Sequence, residues 1–153
     1  QLTEQIEEKV GSTLNEKYEL ALESIPESAL AAISKYAPDF IPKEVEKEIK
    51  NGSSYLDIEG IDSLGNEIEF DMLEKDGLWE IVEIQRDLTI DQCPENVLAA
   101  LPNVTPKRII ESKQITGEVI YEFYTVDADG KENKYEVKVE DGKAELLTTE
   151  WTH

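Results

Sequence analysis

The sequence predicts an α+β protein made of two tandem repeats, each with one helix packed on an antiparallel sheet of about four strands. Three observations predict this fold class. The stretch IPESALAAI, which begins at Ile25, returns as CPENVLAAL, which begins at Cys93. Asp-Gly turns at Asp76 and Asp141 lie 65 positions apart. The segments between the turns alternate apolar and charged residues, which is the pattern of strands with one buried face.

The repeated stretches divide the chain into an N-terminal segment, 1–23, a first repeat, 24–92, and a second repeat, 93–153. In the N-terminal segment, Leu2, Ile6 and Val10 share one helical face. We therefore expect a helix there, with a possible extra strand before the first repeat.

Each repeat is expected to begin with its helix. Pro26 and Pro94 stand in the first turn, where a missing backbone N–H costs nothing, and a glutamate follows each proline near the positive end of the helix dipole. Pro38 and Pro102 favour the ends of the two helices. The apolar residues between these prolines recur at helical spacing, so each helix has one apolar stripe.

Strands are expected after each helix. In the first repeat they cover 54–61, 67–72 and 78–84, and in the second repeat 118–126, 134–139 and 144–151. Gly and Asn between them favour hairpin turns, because these residues adopt positive φ at little cost. The segment 42–52 is ambiguous between helix and strand. Its counterpart in the second repeat is rich in β-branched residues, so we interpret both segments as strands.

This order of motifs resembles the PepSY-like repeat: Pro-x-x-x-Leu-Ala-Ala, a Pro-Lys strand entry, and Tyr- or Phe-containing strands separated by Gly turns. The resemblance extends from Ser24 to Trp151. Paired copies of that repeat resemble the beta-lactamase-inhibitor-protein-like fold. The resemblance implies a periplasmic or secreted bacterial protein, whose signal segment is absent from this sequence, and a role in restraining a peptidase or another protein partner.

The charge points to the class of partner. The net charge is −20, and residues 25–92 contain 17 acidic and 6 basic side chains, whereas 93–153 contain 12 and 7. Such a field repels nucleic acid and anionic lipid and attracts a basic protein. No apolar run is long enough for a membrane span. The alternative is that these acids only form a solvated surface.

The strand alternation predicts which side chains lie on the open faces of the sheets. Acidic residues alternate with apolar residues at Glu67, Glu69 and Asp71, and tyrosines project on the same register, although a tyrosine can also simply pack along its neighbours. The predicted partner-binding residues are Tyr55, Asp57, Glu59, Glu67, Glu69, Asp71, Glu122 and Tyr124.

Little in the sequence favours catalysis. The only histidine is His153, the last residue, and Cys93 takes the place of Ile25 in the repeat, so we expect a buried, unreactive thiol. We therefore predict a non-catalytic binding protein with no cofactor and no metal. Two alternatives remain: an enzyme that uses surface carboxylates, and an envelope sensor of a ligand or of calcium. The DADGKE segment at 127–132 partly matches a calcium loop, but Asp-Gly is also an ordinary hairpin tip.

Overall fold

The computed structural model of the chain describes residues 15–147 and the short strand Ile6–Glu7. The helices are α1 (Glu27–Tyr36) and α2 (Glu95–Ala100). The strands are β1 (Ile6–Glu7), β2 (Asn15–Leu20), β3 (Ile41–Lys50), β4 (Ser53–Ile61), β5 (Glu67–Lys75), β6 (Leu78–Leu88), β7 (Arg108–Gln114), β8 (Val119–Val126), β9 (Glu132–Glu140) and β10 (Lys143–Leu146).

The predicted fold class is wrong, although the helices and strands lie close to where the sequence places them. The strands do not form two separate helix-covered sheets. They belong to one sheet in which β1 to β10 follow chain order. The physical reason lies in β6, which was expected to end near Ile84 but continues to Leu88, because no Gly or Pro interrupts its extended run. The helices are also a small part of the structure, since α1 has 10 residues and α2 only 6.

By their internal contacts, the residues form two compact units: unit 1 (Gln1–Ile84) and unit 2 (Gln85–His153). The repeat boundary from the sequence lay between Gln92 and Cys93. In the N-terminal segment, the predicted strand exists as β2, which pairs with β3 in unit 1. The predicted helix is wrong at Ile6–Glu7, which is a strand, and its remaining residues lie outside the described part of the chain.

The core of unit 1 lies between α1 and one face of the sheet. Ala29 and Ile33 of α1 are buried there. Tyr36 and Phe40 meet the ring of Phe70 edge-on, with ring centroids 6.0 and 5.1 Å away, a favourable aromatic geometry. The sheet contributes Val45, Leu56, Ile58, Ile68, Phe70, Met72 and Trp79. This packing fixes which strand residues face the helix, and the residues between them therefore lie on the other face.

The core of unit 2 is built in the same way around Val97 of α2, but it contains polar side chains. Glu111 is buried, and its Oε2 accepts a hydrogen bond from Tyr121 Oη over 2.9 Å. Arg86 Nη2 lies 3.5 Å from Glu111 Oε1, so this buried carboxylate has a cation beside it. The apolar core residues are Leu88, Cys93, Val97, Ile109, Phe123 and Val137, and Tyr121 packs with them.

The turns confirm that positions 65 residues apart have the same backbone. Asp76 and Asp141 have φ of 53° and 54°, and a glycine with positive φ follows each of them. Asp62 Oδ1 accepts backbone N–H bonds from Leu64 and Asn66, and Asp127 Oδ1 accepts the equivalent bonds in unit 2. The DADGKE segment is therefore a hairpin tip whose first carboxylate caps its own turn.

Candidate partner-binding face

The face of unit 1 opposite its helix is dominated by carboxylates. Antiparallel pairing places Asp57 opposite Asp71, and Glu59 opposite Glu69. On the other side of β4, Asp57 pairs with Glu46 and Glu59 with Glu44. We call this surface the acidic face, and its acidic members are Glu19, Glu44, Glu46, Glu48, Asp57, Glu59, Glu67, Glu69 and Asp71.

A β-bulge in β3 lies at the edge of the run of acids on this surface. Ile41 pairs with Ile61, but Glu44 pairs with Glu59, so β3 has one more residue than β4 between these two pairs. Lys43 lies within this irregularity and has no Cα partner in β4. Pro42 lies at the irregularity, where the missing backbone donor makes a bulge favourable. The bulge therefore leaves Lys43 out of the pairing, and Glu44 lies opposite Glu59.

Few cations balance these charges. Lys17 on β2 lies opposite Glu48 and places its Nζ 3.6 Å from Glu46 Oε1. Both side chains are about half exposed, and such an exposed pair contributes little stability. Among the described residues, no other ion pair is seen for the acidic side chains of this face. Their mutual repulsion is therefore largely uncompensated within unit 1.

Three of these carboxylates form a tight cluster. Carboxylate oxygens of Asp57, Glu69 and Asp71 all lie within 4.8 Å of one another. Burial, the hydrogen bond to Glu69 and the negative charges of Glu69 and Asp57 raise the pKa of Asp71 to about 11. Burial also raises the pKa of Asp57, although its hydrogen bond with Asp71 opposes the rise. Asp71 is therefore protonated at neutral pH and donates to its neighbours.

Carboxylate oxygens at these distances could together bind a metal ion. Exposed acidic groups often lie this close without an ion, so we assign no metal to the cluster. Asp71 Oδ1 is buried and lacks a hydrogen-bond partner among the described residues. Burial and the nearby charges of Glu69 and Glu44 also raise the pKa of Glu59. The whole cluster therefore favours a positive charge or a proton in its immediate surroundings.

A pocket adjoins the cluster. It has a volume of about 130 Å³ and opens on the acidic face of unit 1. Its lining residues are Glu19, Glu44, Val45, Glu46, Asp57 and Glu59. Asp57 therefore belongs both to the pocket and to the carboxylate cluster, and the pocket favours a cationic guest.

The structure brings together only part of the predicted site. Tyr55 is half-buried on the same face, opposite Leu73, with Lys50 Nζ 5.8 Å from its ring centroid. Glu67 is exposed at the start of β5. The two predicted residues of unit 2 are less accessible, because Glu122 is only 5% exposed and half-buried Tyr124 donates a hydrogen bond to it over 3.0 Å.

The sequence analysis missed three acids that line the pocket: Glu19, Glu44 and Glu46. The alternation in the segment around Glu46 was a usable signal once that segment was interpreted as a strand. Placing Glu19 on this face requires knowledge that β2 pairs with β3. Placing Glu44 there requires knowledge of the bulge. Neither feature has a clear signature in a single sequence.

Cys93 is buried as predicted, with 7% of its surface exposed. Burial and the negative charge of Glu111 raise the pKa of its thiol to about 11. His153 lies outside the described residues. Neither α1 nor α2 has the length and apolar character that crossing a bilayer requires. Comparison with known proteins found no matching family model and no matching curated protein.

Proposed function

We propose that this chain is a non-catalytic binding protein whose acidic face binds a basic protein partner. The observation that carries the proposal is the row of carboxyl groups formed by Glu19, Glu46, Asp57 and Asp71 across β2 to β5, beside which Lys17 is the one cation seen in an ion pair among the described residues. Each strand contributes one acid to this row, so an acid lies opposite an acid at every pair. Like charges directly opposite one another destabilise a sheet, and a surface that retains them has a cost that a cationic partner would offset.

The geometry favours a protein over a small anionic ligand or nucleic acid. A sheet face of four strands is broad, and its field repels phosphate groups. The pocket at Asp57 and Glu59 is small and lined mainly by acids, unlike the largely apolar pockets that bind most small molecules. By resemblance to the PepSY-like repeat, we propose a periplasmic or secreted setting and a partner that is a peptidase or another restrained protein.

The absence of catalysis is part of the proposal. The raised pKa of Cys93 keeps its sulfur as a thiol at neutral pH, and a thiol is a poor nucleophile. The cluster at Asp71 has a raised pKa, as some catalytic acids do, but structural groups of interacting charges also perturb pKa values. Binding therefore accounts for the acidic face with fewer assumptions than the alternative of an enzyme that uses surface carboxylates.

The test is affinity capture from an extract of the source organism with three forms of the protein. The first is the wild type. The second carries Glu44→Lys, Glu59→Lys and Glu67→Lys, which reverse three exposed charges of the acidic face. The third carries the same change in net charge at exposed positions of unit 2, namely Asp129→Lys, Glu140→Lys and Glu145→Lys.

A basic protein retained by the wild type and by the unit 2 variant, but lost from the acidic-face variant, is the expected result. Its association rate should also fall as salt rises, since screening weakens steering between exposed charges. Equal retention by all three forms would show that the acidic face is only a solvated surface. Circular dichroism should confirm that both variants are folded, because exposed substitutions usually change stability little.

A further inference from the structure

Asn51 differs from the other asparagines of the chain in the residue that follows it. The sequence contains six asparagines, and Asn51 is the one that precedes a glycine, Gly52. A glycine has no side chain to hinder the approach of its backbone nitrogen to a neighbouring group. The side-chain amide of Asn51 and the backbone nitrogen of Gly52 can therefore react with one another if both are accessible.

The two residues form the whole loop between β3 and β4. Lys50 pairs with Ser53 across the turn, and Asn51 and Gly52 have φ of 52° and 83°. Positive φ at both central residues is the geometry of a type I′ hairpin turn, in which the flanking residues take the hydrogen bonds. No backbone hydrogen bond from the Gly52 N–H is seen in the part of the chain that the structure describes. This nitrogen is therefore not held by the sheet.

The tip of this hairpin is also open. Asn51 and Gly52 are both exposed. A side-chain carbon placed on Gly52 would meet no other atom within 4 Å, so no neighbouring group packs against the tip. Local widening of the turn, which brings the nitrogen of Gly52 to Cγ of Asn51, consequently breaks no packing contact.

The other asparagines lack this combination. After Asn96, the next N–H belongs to the fully buried Val97 and donates within the first turn of α2 over 3.1 Å. After Asn103, the N–H of Val104 donates to a carbonyl two residues back over 2.7 Å. The remaining three asparagines precede charged residues that pair within the sheet, namely Glu16, Glu67 and Lys134.

Two other turns of the sheet have the same backbone but contain aspartate. Asp76 and Gly77 have φ of 53° and 81°, and Asp141 and Gly142 have φ of 54° and 79°. Each pair likewise forms a whole two-residue loop between consecutive strands. An aspartate therefore fits the place of Asn51, because this chain already holds aspartate in the same conformation twice.

We propose that Asn51 is a modification site at which the folded protein loses ammonia and acquires aspartate without an enzyme, and that the hairpin accepts this product. A neutral amide becomes a carboxylate, so the net charge changes from −20 to −21. The new charge lies at the end of two strands that contribute to the acidic face. The site itself lies outside that face, and the inference is independent of the proposed function.

The reaction has two steps and involves no oxidation or reduction. The backbone nitrogen of Gly52 attacks Cγ of Asn51. The new N–Cγ bond forms as the Cγ–Nδ2 bond breaks, and Nδ2 leaves as ammonia with the proton that the Gly52 nitrogen gives up. Water then opens the cyclic imide. Attack of water at Cγ breaks the new bond and gives aspartate, whereas attack at the backbone carbonyl carbon gives isoaspartate, whose main chain runs through Cγ.

The two products affect the hairpin differently. Aspartate leaves the length of the loop unchanged, so Lys50 stays opposite Ser53. Isoaspartate adds one carbon to the main chain of a two-residue loop, and the loop sets the register of the strands on either side of it. We therefore expect the aspartate form to be as stable as the original protein and the isoaspartate form to be less stable.

The experiment incubates the whole protein at mildly alkaline pH and samples it over several weeks. Isoelectric focusing counts the charges gained. Mass spectrometry of peptides cut under acidic conditions, which halt the reaction, identifies the asparagine in which NH has been replaced by O. We expect a shift of one negative charge and conversion at Asn51 ahead of every other asparagine. Earlier conversion of another asparagine would overturn the proposal, and so would reaction of Asn51 only in protein unfolded by urea.

The variant Asn51→Asp tests whether the hairpin accepts the product. It should focus from the outset with the aged wild type, gain no further charge in the same period, and unfold at the same urea concentration as the wild type. A lower unfolding midpoint would overturn the claim that aspartate is accepted. Chromatography separates the two aged products, and an isoaspartyl methyltransferase identifies the isoaspartate form. That form should have the lower midpoint, and equal midpoints would overturn the argument from loop length.

The matched variant is Asp76→Asn, which places an asparagine before Gly77 in a turn with the same backbone. It should convert at position 76 about as fast as at position 51, so that its charge shift reaches two. Conversion at position 51 alone would overturn the argument from the shared turn geometry. Conversion at position 76 alone would overturn the assignment of the site to Asn51.

Discussion

The facing carboxyl groups of Asp57 and Asp71 in unit 1 and of Glu122 and Glu136 in unit 2 differ in burial and in the charges around them. The less buried pair, in unit 1, has fewer positive charges near it. Glu122 and Glu136 are 5% and 2% exposed, and they have a tyrosine hydroxyl that donates to Glu122 and a lysine ammonium group 3.5 Å from Glu136. Asp57 and Asp71 are only half-buried, but their neighbours are more acids. The depth of a charge is thus a poor guide to its cost, because the groups around it decide whether that cost is offset.

The largest expected effect comes from making unit 2 resemble unit 1. Lys134→Glu places an acid beside Glu136, whose side chain is 1% exposed, and removes the nearest cation. Replacing the cation of a buried ion pair with an acid costs about 3 kcal/mol, so unit 2 should unfold at clearly lower denaturant concentration. The measurement is the midpoint of urea unfolding, followed by the protection of the Cys93 thiol from a labelling reagent. Cys93 is the single cysteine and lies in the core of this unit.

The matched control is Lys131→Glu, the same charge reversal at an exposed hairpin position. It should shift the midpoint little, since surface substitutions rarely change stability by more than about 0.5 kcal/mol. If both variants shift the midpoint equally, Lys134 acts only through net charge, and the contrast between the two units disappears.

The sequence was sufficient to predict most elements but not their assembly. Prolines at Pro26 and Pro94 located both helices, and alternation located the strands, because each signal is local and has a period set by backbone geometry. The continuation of β6 to Leu88 was missed. The lack of Gly or Pro permits that continuation, but where a strand ends also depends on the strand that pairs with it, and pairing partners leave little trace in one sequence.

The candidate site was predicted in part, for the same reason. Alternation identified Asp57, Glu69 and Asp71, which the structure places in one cluster. It could not show that Glu122 would be covered, because a carboxylate at a strand position is assigned to the open face whatever surrounds it. It also could not supply Glu44, whose position depends on a bulge. Alternation therefore predicts on which face of the sheet a side chain lies, but it does not predict how exposed that side chain is or which residues surround it.

The second effect concerns the pH dependence of unit 1. The pKa of Asp71 is raised from 3.8 to about 11 in the folded state, so its contribution to stability is complete below about pH 4 and is lost as pH rises toward 11. The free energy of unfolding of unit 1 should therefore fall with pH, by at most about 1.4 kcal/mol per pH unit from this one group. Asp71→Asn should flatten that slope and raise stability at alkaline pH.

Trp79 makes this measurable in unit 1 alone. It is buried in that core, and replacing the other tryptophan, Trp151, with Phe leaves Trp79 as the sole tryptophan. Urea unfolding followed by its fluorescence should show the slope in the parent and a smaller slope in the Asp71→Asn variant. The control is Asp76→Asn, an exposed turn position whose positive φ asparagine tolerates. An unchanged slope in the Asp71→Asn variant would contradict the assignment of the proton to Asp71.

The smallest effect is expected where the two units agree. Ile25 and Cys93 occupy the same place before their helices, at 6% and 7% exposure, so the position needs an apolar group and not a thiol. Cys93→Val should therefore change stability by less than about 1.5 kcal/mol, as hydrophobic replacements of similar volume usually do. Cys93→Asp, which buries an unpaired charge beside Glu111, should destabilise unit 2 far more.

Thiol labelling of the wild type examines the same position without a mutation. Because burial and Glu111 raise the pKa of Cys93 from 9.0 to about 11, its thiolate fraction near pH 8 is roughly a hundredfold below that of a free thiol, before the barrier of limited access is added. A disulfide reagent should therefore react at least that much more slowly with the native protein than with the protein unfolded in urea. Comparable rates in the two states would mean that Cys93 is open to solvent and that its equivalence to Ile25 is not one of packing.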